Sequence, residues 1–119
     1  PLEELLSTSD VLSIHVDGRD ANRNLLGSAE LSIVKENVLL VNTSRGFVID
    51  ANALAERLEA CPAMRAVLDV HAEEPIPGTC PLLGLPNATL LPHAGARTGK
   101  ALADMSNVVR DLAGRLGID

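Results

Sequence analysis

The chain has 119 residues and a formal net charge of −6, from 10 basic and 16 acidic side chains, and 46% of its residues are hydrophobic. This length favours one domain, and the apolar content is sufficient for a buried core, which argues against disorder. The acidic balance and the single aromatic residue, Phe47, exclude a surface for phosphate backbones and a platform for stacked bases. We therefore expect no nucleic-acid partner.

Membrane and metal sites are also not expected from the sequence. The longest continuous aliphatic run, Val38 to Val41, is far shorter than the roughly 20 residues that a membrane-spanning helix needs. The acidic N-terminus does not resemble a secretory signal. Cys61 and Cys80 stand alone, a pattern typical of reduced thiols and not of a metal site. We expect a soluble, cytoplasmic protein without a metal.

The first part of the chain predicts a helix, a strand and a second helix. A short helix with its leucines on one face opens the chain, and a strand follows over Val11 to Val16. The polar segment Asp17 to Asn24 predicts a loop. Ser28 is a typical N-cap for a helix over residues 29–36.

The middle of the chain repeats this alternation. Val38 to Val41 reads as a strand, and its lack of polar alternation is typical of a parallel strand covered on both faces. After a polar turn, Asp50 is a good N-cap for a helix with Leu54 and Leu58 at helical spacing. Ala66 to Val70 predicts a third strand.

The last part of the chain predicts a loop, a strand and a longer helix. Prolines and glycines between His71 and Asn87 exclude regular structure, and Ala88 to Leu91 then predicts a fourth strand. Thr98 is expected to cap a helix. The predicted buried stripe of this helix consists of Leu102, Met105, Val109 and Leu112. Strands that alternate with helices predict an α/β fold: one unit over residues 1–119, a doubly wound parallel sheet of about four strands with flanking helices.

Polar side chains follow three of the predicted strands. Arg45 comes after the second strand, Asp69 and Glu74 after the third, and His93 after the fourth. Ligands of open parallel sheets bind beyond the carboxyl ends of the strands, where these residues are expected to gather. A guanidinium, carboxylates and an imidazole together predict an acid/base site that can also hold an anion.

Three segments after these strands carry a family resemblance. They are Val41 to Gly46, Leu68 to Val70 with Glu74-Pro75, and Leu91 to His93. In this order they resemble the arginine, glutamate and histidine motifs of the D-isomer-specific 2-hydroxyacid dehydrogenases, in the C-terminal part of their NAD-binding domain. The resemblance implies a Rossmann-like sheet, NAD as the cofactor, and hydride transfer between the nicotinamide and a 2-hydroxy or 2-oxo acid.

The resemblance also implies the catalytic roles. Arg45 matches the residue that holds the carboxylate of the acid, for which its planar fork is suited. His93 matches the group that gives and takes a proton at the carbonyl oxygen. Glu74 matches the carboxylate that pairs with this histidine; it is chosen over Glu73 because it directly precedes Pro75. Outside these motifs, such residues would be interpreted as solvated surface groups.

Further residues are implied to line the cofactor. Asp69 matches a residue on the nicotinamide side, and Gly95 matches a small residue that lets the backbone approach the ring. His15 is equally compatible with a structural role, and His71 is interpreted as structural or solvated. The complete implied set for the cofactor is His15, Thr43, Ser44, Arg45, Asp69, His93 and Gly95.

The sequence contains no G-x-G-x-x-G turn, which the family uses to bind the pyrophosphate. We therefore expect the 119 residues to be the C-terminal part of a larger enzyme, with the glycine-rich first half and the substrate domain absent. The resemblance implies a dimer or another homo-oligomer. By the same resemblance, Asp17-Gly18-Arg19 slightly favours a 3-phosphoglycerate-like substrate. The alternative function is a catalytically inactive module for binding or oligomerisation.

Overall fold

The computed structural model describes residues 1–104 and residue 107. The elements, in chain order, are α1 (Leu2–Thr8), β1 (Val11–Ile14), α2 (Ser28–Ile33), β2 (Leu39–Asn42), α3 (Ala51–Ala60), β3 (Arg65–Leu68) and β4 (Ala88–Leu90). Single 3-10 turns occur at Asp20–Asn22 and Gly46–Val48. A further helical segment covers residues 99–104.

The four strands form one parallel sheet in the order β1-β2-β3-β4. Leu12 pairs with Leu40, which pairs with Ala66, which in turn pairs with Ala88. Because all the strands run in the same direction, their carboxyl ends lie along one edge, and the loops that follow them meet there. The predicted fold class, a parallel α/β sheet of about four strands with flanking helices, is confirmed.

The core lies between the sheet and the helices. Its most completely buried side chains are Leu31, Val38, Leu40, Val48, Leu54, Leu58 and Met64. Along β2, Leu40 and Asn42 are buried, whereas Leu39 and Val41 are only half-buried. The expectation that this strand is covered on both faces was therefore too strong. Successive side chains point to opposite faces, and the described residues close only one of those faces completely.

Several predicted boundaries were wrong at helix and strand ends: α2 ends at Ile33 and not at residue 36, and β3 ends at Leu68 and not at Val70. Ser28 is the first residue of α2, and Gly27 is the N-cap. The reason is that the Glu30 carboxylate accepts a hydrogen bond from the Gly27 N–H at 3.1 Å and fixes the helix start one residue earlier. The first strand ends at Ile14 and not at Val16. The N-cap at Asp50 is confirmed, because its carboxylate accepts from two N–H groups of the first turn at 3.0 and 3.1 Å.

For the predicted C-terminal helix, the cap at Thr98 is confirmed and the burial of Leu102 is wrong. Thr98 Oγ1 accepts a hydrogen bond from the Ala101 N–H at 3.1 Å, as expected of a cap. Leu102, however, exposes 54% of its surface and does not belong to the core that the described residues form. The other residues of the predicted stripe, Met105, Val109 and Leu112, lie outside the described residues.

No helix that the structure describes has both the length and the apolar character that crossing a membrane requires.

Candidate active site

Asp69 follows β3 directly and ties the end of this strand to the loop after β4. Its side chain is 5% exposed, and its two carboxylate oxygens accept hydrogen bonds from the N–H groups of Ala94 and Gly95, both at 2.8 Å. The bond from Ala94, more than any other contact, lowers the pKa of Asp69, whereas burial opposes this shift. A Cβ at Gly95 would lie 2.8 Å from the same carboxylate, so the close approach favours glycine.

This lowered pKa makes stability depend on pH in a defined direction. As the pH falls below about 4, the ordinary range of an aspartate, the unfolded chain takes up a proton before the folded chain does. The contribution of Asp69 is therefore complete above that range and is lost as the pH falls through the lowered value of the folded state. In Asp69→Asn, the amide cannot accept both N–H groups, so we expect a smaller free energy of unfolding at neutral pH and a flatter acid limb. Urea unfolding of both proteins between about pH 3 and about pH 7 measures this, and parallel pH curves would contradict it.

His93 and Glu74 form a direct pair next to the residues that Asp69 holds, Ala94 and Gly95. Nδ1 of His93 lies 2.8 Å from Oε2 of Glu74, and Oε1 of Glu74 accepts the backbone N–H of His71 at 3.0 Å. The bond from His93, followed by the bond from His71, lowers the pKa of Glu74. Since a carboxylate only accepts, the proton of a neutral His93 ring resides on Nδ1. The other ring nitrogen, Nε2, is then available to a ligand.

The backbone of His93 has an unusual conformation. Its φ is 53°, in the left-handed region that few residues other than glycine adopt. The next two N–H groups, of Ala94 and Gly95, are the ones that Asp69 holds. Such strain persists only where surrounding contacts impose it, and it is concentrated at functional sites. Asp69 thus helps to set the direction in which the His93 side chain leaves the main chain.

Asn42, at the end of β2, shapes the loop that carries Arg45. It is 1% exposed. Its Oδ1 accepts from the N–H of Ser44 at 3.0 Å and from the Ser44 hydroxyl at 2.8 Å, and its Nδ2 donates to the carbonyl of Arg45 at 3.0 Å. Asn42 was not predicted as a site residue from the sequence. The signal that could have found it is an amide at the end of a buried apolar strand, where it must find partners.

The loop after β2 that carries Arg45 (the arginine loop) and the loop after β3 that carries Glu74 (the glutamate loop) contact each other through their backbones. A Cβ at Gly46 would lie 1.9 Å from the carbonyl carbon of His71 and 2.4 Å from the nitrogen of Ala72. Arg45 itself is exposed; its Nη1 donates to the carbonyl of Ser44 at 2.7 Å, and its Nε would lie 3.3 Å from a Cβ at Gly18. Within the part of the chain that the structure describes, Arg45 has no hydrogen bond to the His93–Glu74 pair.

The remaining predicted residues lie along the same edge of the sheet. Thr43 is exposed in the arginine loop. His15 follows β1 and is exposed, with Nε2 2.7 Å from the hydroxyl of Ser13. Among the described residues, its ring has no hydrogen bond to a backbone carbonyl. Because β1 and β4 are opposite edge strands, His15 is separated from His93 by about 14 Å of sheet. The structure therefore brings His93, Glu74 and Asp69 together and leaves His15 apart.

The hydroxyl and imidazole groups at this edge of the sheet suit the nicotinamide end of a nicotinamide dinucleotide. The exposed hydroxyl of Thr43 and the imidazoles can both donate and accept, which matches a carboxamide and ribose hydroxyls. The pyrophosphate instead needs a glycine turn at a helix N-terminus, and the sequence has none. The residues present therefore fit the nicotinamide end of the cofactor and not its phosphates.

A parallel sheet with an acid/base pair at its carboxyl edge defines an α/β domain of the nucleotide-binding class. Residues 1–95 match the family described as "D-isomer specific 2-hydroxyacid dehydrogenase, NAD binding domain". The chain belongs to this family. It is 43% identical over 97 residues to a glyoxylate reductase of Aeropyrum pernix, covering 82% of this chain and 29% of that protein.

Two further relatives extend the comparison. The chain is 38% identical over 119 residues to the D-3-phosphoglycerate dehydrogenase of Escherichia coli strain K12, covering 97% of this chain and 28% of that protein. The crystal structure of the TT0316 protein from Thermus thermophilus superposes with a TM-score of 0.83 at 36% identity, over 99% of this chain and 38% of that chain. The chain thus spans less than a third of the length of the two curated relatives.

Proposed function

We propose that this chain supplies the nicotinamide side of the active site in an NAD-dependent dehydrogenase that interconverts D-2-hydroxy acids and 2-oxo acids. In this proposal, residues 1–119 are the C-terminal part of the NAD-binding domain of a longer enzyme. The observation that carries it is the contact of 2.8 Å between His93 and Glu74, at the edge of the sheet that also bears Arg45.

His93 is the proposed acid and base. With Nδ1 engaged by Glu74, its Nε2 can donate a proton to the oxygen of a 2-oxo acid and take it back from the hydroxyl in the reverse reaction. The Glu74 carboxylate fixes the ring orientation and stabilises the imidazolium form by its charge. General acid–base catalysis of this kind contributes about 10²- to 10⁴-fold to a rate.

Arg45 is the proposed anion-binding residue. Its guanidinium offers a rigid fork of N–H donors that matches a carboxylate, and its exposure leaves most of those donors accessible. It follows β2, whereas His93 follows β4, so about 10 Å of sheet separates the two strands. A small 2-oxo acid that extends from Arg45 to Nε2 of His93 is consistent with that separation.

NAD, when bound, supplies or accepts the hydride. Thr43, Ser44 and Gly95 are the residues of this chain proposed to lie along the nicotinamide and its ribose, and His15, at the other end of the sheet edge, is proposed to contact a part of the cofactor farther from the ring. Of these, the backbone N–H of Ser44 donates to Asn42 and the backbone N–H of Gly95 donates to Asp69, so both backbones are fixed by the protein itself. Asp69 is proposed to contribute to cofactor binding indirectly, because its carboxylate holds the N–H groups of Ala94 and Gly95 in the loop after β4.

The unpaired edge of β1 supports the proposal of a larger domain. In the described structure β1 pairs only with β2, and Val11 on this strand is 59% exposed. Such an edge is ordinarily paired or covered. We propose that the remainder of the NAD-binding domain, or a second copy in a homo-oligomer, covers it. A cytoplasmic location is also proposed, which agrees with the two free cysteines, Cys61 and Cys80.

An inactive module for binding or oligomerisation is the second candidate, and the absence of a glycine turn from the sequence favours it for the 119 residues alone. The test is NADH consumption with glyoxylate, hydroxypyruvate and 3-phosphohydroxypyruvate, for the 119-residue chain and for the product of the complete reading frame. We expect turnover by the complete product only, with some preference for the phosphorylated acid. A complete product that binds NADH and reduces none of the three would contradict the enzyme proposal.

Exchange of the glutamate tests the pairing with His93. We expect Glu74→Gln to lower kcat of the complete enzyme by about tenfold or more, because an amide can hold the ring but no longer stabilises its charged form. The matched control is Glu73→Gln, which changes the exposed neighbour and leaves the contact with His93 in place. Equal losses in the two variants would contradict the role of Glu74.

A further inference from the structure

His71 connects the two loops that carry the acid/base pair. Its backbone N–H donates to Oε1 of Glu74 at 3.0 Å, and its ring Nε2 lies 2.8 Å from the carbonyl oxygen of Leu91. Leu91 is two residues before His93 in the chain. One residue therefore contacts the glutamate through its main chain and the histidine segment through its side chain.

We propose that His71 is a positioning residue that aligns Glu74 with His93. The proposal rests on the proposed function, because the alignment of this pair matters only if His93 exchanges protons. His71 itself does not contact the reacting atoms. It acts by fixing the positions of Glu74 and of the segment before His93 relative to each other.

The segment before His93 has few other anchors. The N–H of Leu91 donates to Leu68 at 2.8 Å, the last bond to the sheet, and Pro92 has no N–H to donate. On the far side of His93, Asp69 holds the next N–H groups. In the described part of the chain, the backbone on the near side of His93 is thus held at Leu91 by two hydrogen bonds, one to Leu68 and one to the side chain of His71.

The carboxylate of Glu74 contacts both His71 and His93, one with each oxygen. Oε1 accepts from His71 and Oε2 lies against His93, so the carboxyl plane is defined by both contacts. A movement of the His71 main chain would rotate this plane and move Oε2 away from Nδ1. Gly46 packs against the carbonyl of His71 and restricts such movement.

The bonding of His71 defines the protonation of its ring. A carbonyl oxygen only accepts, so Nε2 of His71 must carry a proton, and in the neutral ring Nδ1 then carries none. His93 is expected to be the opposite tautomer, because its Nδ1 faces the carboxylate of Glu74. Nitrogen NMR of the protein with isotope-labelled histidine distinguishes the two tautomers at alkaline pH, where imidazoles are neutral.

In the unsubstituted protein, we expect the Nε2–H tautomer for His71 and the Nδ1–H tautomer for His93. In His71→Leu, we expect the ratio of Nδ1–H to Nε2–H forms of His93 to fall about fivefold, as for the loss of one supporting hydrogen bond. In His71→Gln, the amide nitrogen can take the place of Nε2 and restores the ratio. His15→Leu is the control; His15 follows the opposite edge strand, β1, and its replacement leaves the ratio unchanged.

An unchanged ratio in a folded His71→Leu protein would overturn the proposal. So would the Nδ1–H tautomer of His71 in the unsubstituted protein, a measurement that does not depend on whether any variant folds. Neither readout requires turnover. Failure of the dehydrogenase assay would therefore remove the catalytic purpose of the alignment but not the alignment itself, and an active enzyme with an unchanged tautomer ratio would overturn the role of His71 alone.

Discussion

Replacement of His93 by alanine is expected to lower kcat of the complete enzyme by about 10²- to 10⁴-fold, the usual contribution of a general acid. The affinity for NADH should remain close to that of the unsubstituted enzyme, because the proposed role of the ring is at the oxygen of the acid. Steady-state kinetics and calorimetric titration with NADH measure the two quantities separately.

Chemical rescue strengthens this test. If the deficit is the missing proton donor, imidazole added to the assay should restore part of kcat in His93→Ala and have no effect on the unsubstituted enzyme. An unchanged kcat in the variant would remove the role given to His93. An equal loss of NADH binding and kcat would assign His93 to the cofactor instead.

Gly46→Ala is expected to have the largest effect on stability. Its Cβ would lie 1.9 Å from the carbonyl carbon of His71 and 2.2 Å from the carbonyl oxygen, so the two loop backbones must separate. Neither contact is the end of a flexible side chain, and overpacking of this kind costs about 3 kcal/mol. Urea unfolding of both proteins measures the loss in the free energy of unfolding.

Gly78→Ala is the matched control, because no heavy atom lies within 4 Å of a Cβ at Gly78. It belongs to the proline-rich loop that begins at His71, and it is exposed there with room for a methyl group. We expect its unfolding free energy to be within about 0.5 kcal/mol of the original. If both variants lose the same amount, the close approach at Gly46 is not what stabilises these loops.

The order of the elements could be predicted from the sequence because each signal is local. The aliphatic runs indicated the strands, and Asp50 marked the start of α3 correctly. The start of α2 was misplaced because Ser28 and Gly27 are adjacent and Glu30 decides between them. Leu102 was assigned to the core from spacing alone, and spacing does not say whether another element covers that face.

The site could be predicted only in part. The parallel topology brings the residues that follow the strands to one edge, so the neighbourhood of Arg45 and His93 follows from the strand order. The bonds of Asn42, the left-handed φ of His93 and the link through His71 could not be predicted. The link through His71 depends on two loops that are distant in sequence and meet only in the folded chain, and the φ of His93 depends on the same meeting through Asp69.

The most direct test of the dehydrogenase proposal is the configuration of the product. The complete enzyme is supplied with hydroxypyruvate and NADH, and the glycerate formed is analysed by chiral chromatography. We expect D-glycerate in an amount equal to the NADH consumed, and with His93→Ala neither product nor NADH loss beyond about a hundredth of that rate. L-glycerate, a racemic mixture, or NADH consumption that does not require His93 would contradict the proposal.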